Sequence, residues 1–265
     1  MTDQRKAVVV TGAAGGIGRA ACERLAAEGW DVLAVDRDAA KLEWAAGRDH
    51  LWSMAADVSS PDDNQAIAAE AERLFGGLDA AVFNAGISGG GTIDDLPFDA
   101  FRQVIAVNLF GPVLGIKALL PLLRRRTPAA IVVTSSTMGV GGDADNWAYG
   151  SSKHAVIGLV RSLSREIGWE GIRINALCPG PTQDTGLTMG VEDRAPDRYA
   201  LLQRAVPLQR WAEPDEMASV IAFLISPASS YVNGAVMVAD GGAVTGTGLL
   251  PPKAGAGDAV VRREK

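Results

Sequence analysis

Short aliphatic runs alternate with longer amphipathic stretches from the start of the chain to about residue 240. A run such as Ala7–Val10 is apolar on both faces, which is typical of a strand covered by helices on each side of a parallel sheet. The pattern predicts seven strands: Ala7–Val10, Val32–Val35, a weaker one at Leu51–Ala55, Ala80–Phe83, Ile131–Thr134, Arg173–Leu177 and Ala235–Val238.

Helical spacing of apolar residues fills the intervals between these strands. Ile17, Ala21 and Leu25 repeat at helical spacing, and Pro61 opens a second helix. Further helices are predicted at 99–123, at 147–168 and after Pro214, and the prolines inside the first of these predict a kink or an early end. Strand–helix alternation predicts an α/β fold: a single-domain, Rossmann-type, doubly wound parallel sheet of about seven strands with helices on both faces.

Two segments depart from this alternation. Residues 184–210 are polar with weak helical character, and a segment of this length inside a compact domain predicts a lid. Residues 246–265 are rich in Gly, Pro and charge, which predicts a flexible C-terminal tail after a catalytic domain spanning residues 1–245.

Composition narrows the class of protein. With 48% apolar residues and a formal net charge of −6, the chain of 265 residues is expected to be globular and not to bind nucleic acid. No uninterrupted apolar run approaches the roughly 18 residues of a membrane span, and the N-terminus does not fit a secretory signal. Two cysteines, Cys22 and Cys178, and two histidines argue against a metal site. These features favour a soluble cytoplasmic protein.

A glycine-rich turn joins the first strand to the first helix. Gly12, Gly16 and Gly18 lie in the segment Thr11–Gly18, where glycine permits a tight turn and close approach of the backbone to a pyrophosphate. The helix N-terminus that follows offers N–H groups and a partial positive charge to phosphates. This context predicts a dinucleotide site that includes Ile17.

Asp36 ends the second strand, eighteen residues beyond Gly18. A carboxylate at this point accepts hydrogen bonds from the adenosine ribose hydroxyls and repels a 2′-phosphate. NAD is therefore the predicted cofactor. The guanidinium groups of Arg19 and Arg37 keep NADP open as an alternative, since such a group accommodates that phosphate.

Tyr149 is the one tyrosine with a lysine, Lys153, four residues later. On a helix the two side chains share a face, so the ammonium group favours the phenolate that a general base requires. Ser135 and Ser136 end the fifth strand, at the sheet edge where ligands of doubly wound sheets lie. A serine hydroxyl there suits a substrate oxygen on which charge develops.

The sequence resembles the classical short-chain dehydrogenase/reductase family over about residues 6–245. The motifs that carry the resemblance are Thr11–Gly18, Asn84-Ala85-Gly86, Asn108, Ser136, Tyr149-Gly150-Ser151-Ser152-Lys153, Pro179-Gly180 and Asp240-Gly241-Gly242.

The resemblance implies a role for each of several residues. Tyr149 is the expected general acid/base, and Ser136, thirteen residues before it, the residue that holds the substrate oxygen. Lys153 is expected to bind the nicotinamide ribose and lower the tyrosine pKa, and Asn108 to anchor a water of a proton relay. Tyr149 is also expected to contact the cofactor. The other residues expected there are Asp57 and Val58 at the adenine, Asn84, Ala85 and Gly86 beside the cofactor, and Pro179, Gly180 and Thr182.

One position departs from the family pattern. The family usually has threonine four residues after the glycine of Pro-Gly, where it binds the nicotinamide carboxamide. Asp184 stands there in this chain, and Thr182 and Thr185 flank it. The sequence leaves open which of the two threonines serves.

The expected function is an NAD-dependent oxidoreductase that interconverts a secondary alcohol and a ketone, with a cyclic or aromatic hydroxy compound as substrate. The alternatives are a 3-oxoacyl carrier-protein reductase using NADPH and a non-catalytic NAD(H)-binding sensor. The resemblance also implies a homotetramer, and no nucleic-acid or membrane partner is expected.

Overall fold

A computed structural model describes residues 5–246, so the predicted tail lies almost wholly outside the described residues. Seven parallel strands form one sheet in the order β3-β2-β1-β4-β5-β6-β7. The sequence-based fold class is confirmed, with each predicted strand present to within two residues at its ends. The strands are β1 Ala7–Thr11, β2 Asp31–Asp36, β3 Leu51–Ala55, β4 Ala80–Phe83, β5 Ala129–Thr134, β6 Ile172–Pro179 and β7 Val236–Ala239.

Eight α-helices connect the strands within the described range. They are α1 Gly16–Ala27, α2 Pro61–Phe75, α3 Phe98–Ile105, α4 Gly111–Arg124, α5 Trp147–Ile167, α6 Val191–Arg194, α7 Pro196–Ala205 and α8 Pro214–Ile225. The short helices α6 and α7 lie in the predicted lid, residues 184–210. A 3₁₀ helix at Ala40–Ala45, which the sequence reasoning did not identify, joins β2 to β3.

Each face of the sheet is covered by its own helices. On one face α2, α4 and α5 bury residues such as Ile67, Leu119 and Val160 against alternate side chains of the strands. On the other face α1 and α8 bury residues such as Leu25 and Ile221. Because both faces of the inner strands are buried, these strands are apolar on both sides, as the sequence pattern indicated, whereas the edge strands β3 and β7 are more exposed.

The predicted interruption of the long helix is found beside Pro112, as a π turn. At Pro121 the prediction of a kink or an early end of the helix is wrong on the second point, since α4 continues through Pro121 to Arg124. The helix that begins at Phe98 runs through a π-helical turn, Ala106–Phe110, before it continues as α4. Pro112 has no N–H to donate to the carbonyl of residue 108, and its ring crowds that carbonyl, so the regular ladder is interrupted there. The turn carries Asn108, one of the predicted site residues.

The combined helix Phe98–Arg124 has the length and the mean hydropathy (1.8) of a membrane span, although polar residues interrupt its apolar runs. Half of its most apolar window is buried inside the fold. Its residues Ile116, Leu119 and Leu123 pack in the core beneath the sheet. The segment is the core helix of a three-layer domain.

Candidate active site

The glycine-rich turn lies at the carboxyl end of β1, where the strand order reverses between β1 and β4. Gly12 has φ +71°, and a Cβ built on it would lie 2.7 Å from the Ala85 Cα. A Cβ on Gly18 would lie 2.0 Å from the Gly12 carbonyl oxygen. A side chain at either position would therefore displace backbone, which explains glycine at both. Gly16 and Ile17 open α1, whose N-cap residue, Gly15, supplies no side-chain cap.

The Thr11 hydroxyl ties this turn to the segment after β4. Its oxygen accepts from the amides of Asn84 (3.1 Å) and Ala85 (3.3 Å). The Asn84 side chain donates to the Gly12 carbonyl at 3.4 Å and accepts from the Thr134 hydroxyl at 3.2 Å. Three neighbouring strand ends are thereby held together. Thr134 was not predicted as a site residue, although its place at the end of β5 could have indicated it.

Asp36 is the last residue of β2, and its carboxylate faces the glycine-rich turn. One oxygen accepts from the Ala14 amide at 3.1 Å and the other from the Asp38 amide at 3.1 Å. Asp57, beyond β3, is more exposed, and hydrogen bonds from Ser59 lower the pKa of its carboxyl group. Val58 is buried beside Gly111.

The two serines after β5 point in different directions. The Ser135 hydroxyl is buried and donates to the Lys153 carbonyl oxygen at 2.9 Å. The Ser136 hydroxyl accepts from the Met138 amide at 3.1 Å and lies near enough to the Tyr149 hydroxyl to lower its pKa. The structure therefore places Ser136, and not Ser135, beside the tyrosine.

Tyr149 and Lys153 lie on one face of α5, and both are buried. Burial raises the pKa of Tyr149 to about 12, and the neighbouring Ser136 hydroxyl opposes that rise. Burial lowers the pKa of Lys153 to about 8. The Lys153 Nζ donates to the Thr134 carbonyl oxygen at 2.8 Å. Within the folded chain, burial therefore outweighs the lowering of the tyrosine pKa that the resemblance implies.

Asn108 holds the segment after β4 through its side-chain amide. Its Oδ1 accepts from the Ile87 amide at 2.8 Å, and its Nδ2 donates to the Ile87 carbonyl at 2.9 Å and to the Ser152 hydroxyl at 3.0 Å. Ser152 in turn donates to the Tyr149 carbonyl at 2.7 Å. A Cβ on Gly86 would lie 3.3 Å from the Lys153 Nζ and 3.4 Å from the Asn108 Oδ1, so glycine leaves room for both.

The segment after β6 brings the start of the lid onto the glycine-rich turn. Pro179 ends β6, and Gly180 packs against Asp240, where a Cβ would lie 2.6 Å from the Asp240 Cα. Thr182 is buried, and its hydroxyl donates to the Gly180 carbonyl at 3.0 Å. The Thr185 Cα lies 3.0 Å from a Cβ built on Gly16. Thr185, which the site prediction mentioned only as an alternative, is thus the threonine next to the turn.

Asp184, between these threonines, has φ +49°, a left-handed conformation that is uncommon for residues other than glycine. The Thr188 hydroxyl fixes the next turn by donating to the Thr182 carbonyl (2.6 Å) and accepting from the Thr185 amide (3.2 Å). The turn at Asp184 therefore carries the chain from the buried Thr182 out to Thr185.

The arrangement fits a dinucleotide. The turn brings backbone close to any ligand above it, and the N–H groups of the first turn of α1 suit a pyrophosphate. Asp36 stands on one side of this turn, at the end of β2. On the other side, Ser136 follows β5, and Tyr149 and Lys153 of α5 lie beside the end of that strand. Among residues 5–246, no group of three or more His, Cys, Asp or Glu side chains is placed to hold a metal ion.

Comparison with known proteins agrees with this geometry. Residues 12–244 match a family model described as enoyl-(acyl carrier protein) reductase. The chain is 36% identical over 241 residues to 2,5-dichloro-2,5-cyclohexadiene-1,4-diol dehydrogenase of Sphingobium indicum, covering 89% of this chain and 96% of that protein. It is 37% identical over 243 residues to cis-4-hydroxycyclohexanecarboxylate dehydrogenase of Sinomonas cyclohexanicum, with the same shares covered.

A solved structure shows the same fold. The ligand-free aldohexose dehydrogenase of Thermoplasma acidophilum superposes with a TM-score of 0.86 at 31% identity, covering 94% of this chain and 98% of that one.

Proposed function

Because this chain belongs to the short-chain dehydrogenase/reductase family, we propose that it is an NAD-dependent oxidoreductase that interconverts a secondary alcohol and the corresponding ketone. The observation that carries the proposal is the meeting of the Tyr149 and Ser136 hydroxyls beside the buried Lys153. This meeting lies at the carboxyl edge of the sheet, next to the glycine-rich turn. The side chains needed for general acid/base chemistry therefore lie at the place where a dinucleotide fits.

In the oxidative direction, Tyr149 takes the proton of the substrate hydroxyl, and Ser136 holds the same oxygen as its charge changes. A nicotinamide cofactor, which the glycine-rich turn and Asp36 would hold, would supply the acceptor for the hydride that leaves the carbon bearing this oxygen. With a pKa of about 8, Lys153 is mostly protonated at pH 7, so its charge favours the phenolate form of Tyr149. Asn108 and Ser152 fix the helix backbone that carries the tyrosine.

The preference for NAD rests on Asp36. Its carboxylate sits at the end of β2, against the glycine-rich turn, where it suits ribose hydroxyls and repels a 2′-phosphate. Asp36→Ala is expected to weaken NADH binding and to reduce the discrimination against NADPH, both measured by titration. The control is Asp38→Ala, because the Asp38 side chain is 40% exposed and its carboxylate accepts a hydrogen bond from the Lys41 amide.

The proposed substrate is a secondary alcohol on a ring. The Sphingobium and Sinomonas relatives are named for dehydrogenation of ring alcohols. Val140, Leu187 and Met189 expose 42%, 44% and 61% of their surface, and each follows a site residue within four positions. These apolar side chains near the site suit the carbon frame of such a ring.

The test is the absorbance of NADH during incubation with NAD or NADP and a panel of cyclic, aromatic and acyclic secondary alcohols. Reduction of NAD with a ring alcohol supports the proposal. Preference for NADP would contradict the role given to Asp36 and favour a carrier-protein reductase. Tight NADH binding without turnover on any alcohol would favour a non-catalytic sensor.

Self-association is part of the proposal. Phe98 and Phe110 of the long helix expose 62% and 53% of their surface, and Val238 of the edge strand β7 exposes 36%. Apolar side chains on an open helix and an edge strand favour burial against another copy of the chain. The expected species in solution is a homotetramer, and light scattering measures the molar mass that tests this. A cytoplasmic location of the protein stays a prediction from the sequence.

A further inference from the structure

Trp44 contacts the glycine-rich turn from a segment that the motifs do not include. It lies in the 3₁₀ helix Ala40–Ala45, and its indole N–H donates to the Ala13 carbonyl oxygen at 3.1 Å. The amide of the next residue, Ala14, donates to the Asp36 carboxylate at 3.1 Å. The Ala13 carbonyl and the Ala14 amide belong to one peptide group. Trp44 and Asp36 therefore hold the two ends of a single peptide in the turn.

The indole is itself held by two guanidinium groups. The Cζ atoms of Arg19 and Arg48 lie 5.1 Å and 5.5 Å from the Trp44 ring centroid. The Glu23 Oε1 accepts from both Arg19 nitrogens, Nε and Nη2, at 3.2 Å, and from the Arg48 Nη1 at 2.8 Å. One carboxylate thus joins two cations that both contact the indole, an arrangement favoured by cation–π attraction.

This cluster also fixes where Arg19 points. Arg19 follows Gly18 directly, so it starts at the N-terminus of α1 beside the turn. A free guanidinium there would attract a 2′-phosphate. In the structure, the Arg19 guanidinium pairs with Glu23 and lies over the Trp44 ring, and the Asp36 carboxylate is the charged group that faces the turn.

We propose that Trp44 is a positioning residue for the adenosine end of the cofactor, and that Glu23 maintains cofactor discrimination by holding Arg19 against the indole. The proposal rests on the dinucleotide site of the proposed function. Trp44 fixes the peptide whose amide orients the Asp36 carboxylate, and Glu23 pairs with Arg19, one of the two guanidinium groups that keep NADP open as an alternative. Trp44 also packs against the core beside α1, so the experiment must separate positioning from stability.

The first test compares Trp44→Phe, which keeps an aromatic ring and removes the N–H donor, with Trp52→Phe. Trp52 is half-exposed on β3 and packs edge-on against Phe75. Loss of one hydrogen bond predicts that Trp44→Phe raises the Kd of NADH and of ADP-ribose by the same factor of about five. Trp52→Phe leaves both constants unchanged.

A Trp44→Phe protein that melts earlier but binds NADH and ADP-ribose like the wild type would overturn the positioning role. Unequal effects on the two ligands would overturn its assignment to the adenosine end. Failure of the wild type to bind either ligand would instead contradict the proposed function, and the inference with it.

The second test compares Glu23→Gln with Glu28→Gln, both by titration with NADH and NADPH. Glu28 pairs with Arg24 at the same spacing on the same helix, 3.4 Å apart. Release of Arg19 predicts that Glu23→Gln tightens NADPH binding about threefold and changes NADH binding little, since the pair is partly exposed. An NADH-to-NADPH ratio of dissociation constants that is the same in the two variants would overturn the role of Glu23.

Discussion

The Nζ of Lys153 lies 5.5 Å from the centroid of the Tyr149 ring, and both side chains are more than nine-tenths buried. Burial disfavours the charged form of each, raising the pKa of Tyr149 to about 12 and lowering that of Lys153 to about 8. Because of these two shifts, the free energy of unfolding depends on pH, and stability measurements can detect that dependence.

The first prediction concerns stability between pH 8 and pH 10.5. Below pH 8, Lys153 is charged in the folded and the unfolded chain, and the cost of burying the charge is fully present. Between about 8 and 10.5 the folded state holds fewer protons than the unfolded state, so this contribution to the free energy of unfolding rises with pH. The rise is about 3 kcal/mol as an upper bound. Above about pH 10, the raised pKa of Tyr149 acts in the opposite direction.

Denaturant unfolding at pH 7.5 and pH 10 measures this effect in the wild type, in Lys153→Met and in Lys117→Met, an exposed lysine of α4. Burial also raises the pKa of the Cys22 and Cys178 thiols, which lowers stability above about pH 9 in all three proteins. The change in the free energy of unfolding over the interval is therefore expected to be more favourable in the wild type and in Lys117→Met than in Lys153→Met. An equal pH dependence in Lys153→Met would contradict the assignment.

The second prediction separates the two serines that end β5. Ser136→Ala removes the hydroxyl beside Tyr149, and kcat/KM is expected to fall about a hundredfold. Ser135→Ala removes a buried donor to the Lys153 carbonyl, so it is expected to lower the free energy of unfolding by about 1 kcal/mol. Steady-state kinetics and thermal denaturation of both variants check the assignment. A larger loss of activity in Ser135→Ala would reverse it.

The third prediction decides between the two threonines of the lid entrance. Thr185→Val is expected to raise KM for NAD about fivefold, because Thr185 lies against Gly16 of the turn. Thr182→Val removes a buried hydroxyl that already donates to the Gly180 carbonyl, so it is expected to lower the melting temperature and change KM less. If Thr182→Val proves the more harmful variant for KM, the nicotinamide contact belongs to Thr182.

Most of the fold follows from local pattern. Strands buried on both faces produce uninterrupted apolar runs such as Ala7–Val10, and these runs sit where the seven strands are observed. An interruption of the long helix at Pro112 was also predictable, because proline removes an N–H donor from the helical hydrogen bonds. Its form as a π turn was not, since the turn depends on how Asn108 contacts Ile87 and Ser152 across the structure.

The candidate site divides in the same way. Tyr149, Lys153 and the glycines carry spacings that sequence reasoning detects. Trp44 has no such spacing, because an indole in a short 3₁₀ helix reaches Ala13 only after β2 and β3 have been placed. The contact of Thr185 with Gly16 likewise joins segments that are far apart in the chain.

In the proposed reaction, Tyr149 performs the proton transfer. Its most direct test is the rate of NAD reduction with the best alcohol of the panel, for the wild type, Tyr149→Phe and Tyr231→Phe, whose ring is fully exposed. General acid/base catalysis predicts a loss of 10²- to 10⁴-fold in kcat for Tyr149→Phe alone, with unchanged Kd for NADH. A Tyr149→Phe protein that binds NADH normally and reduces NAD at the wild-type rate would contradict the account.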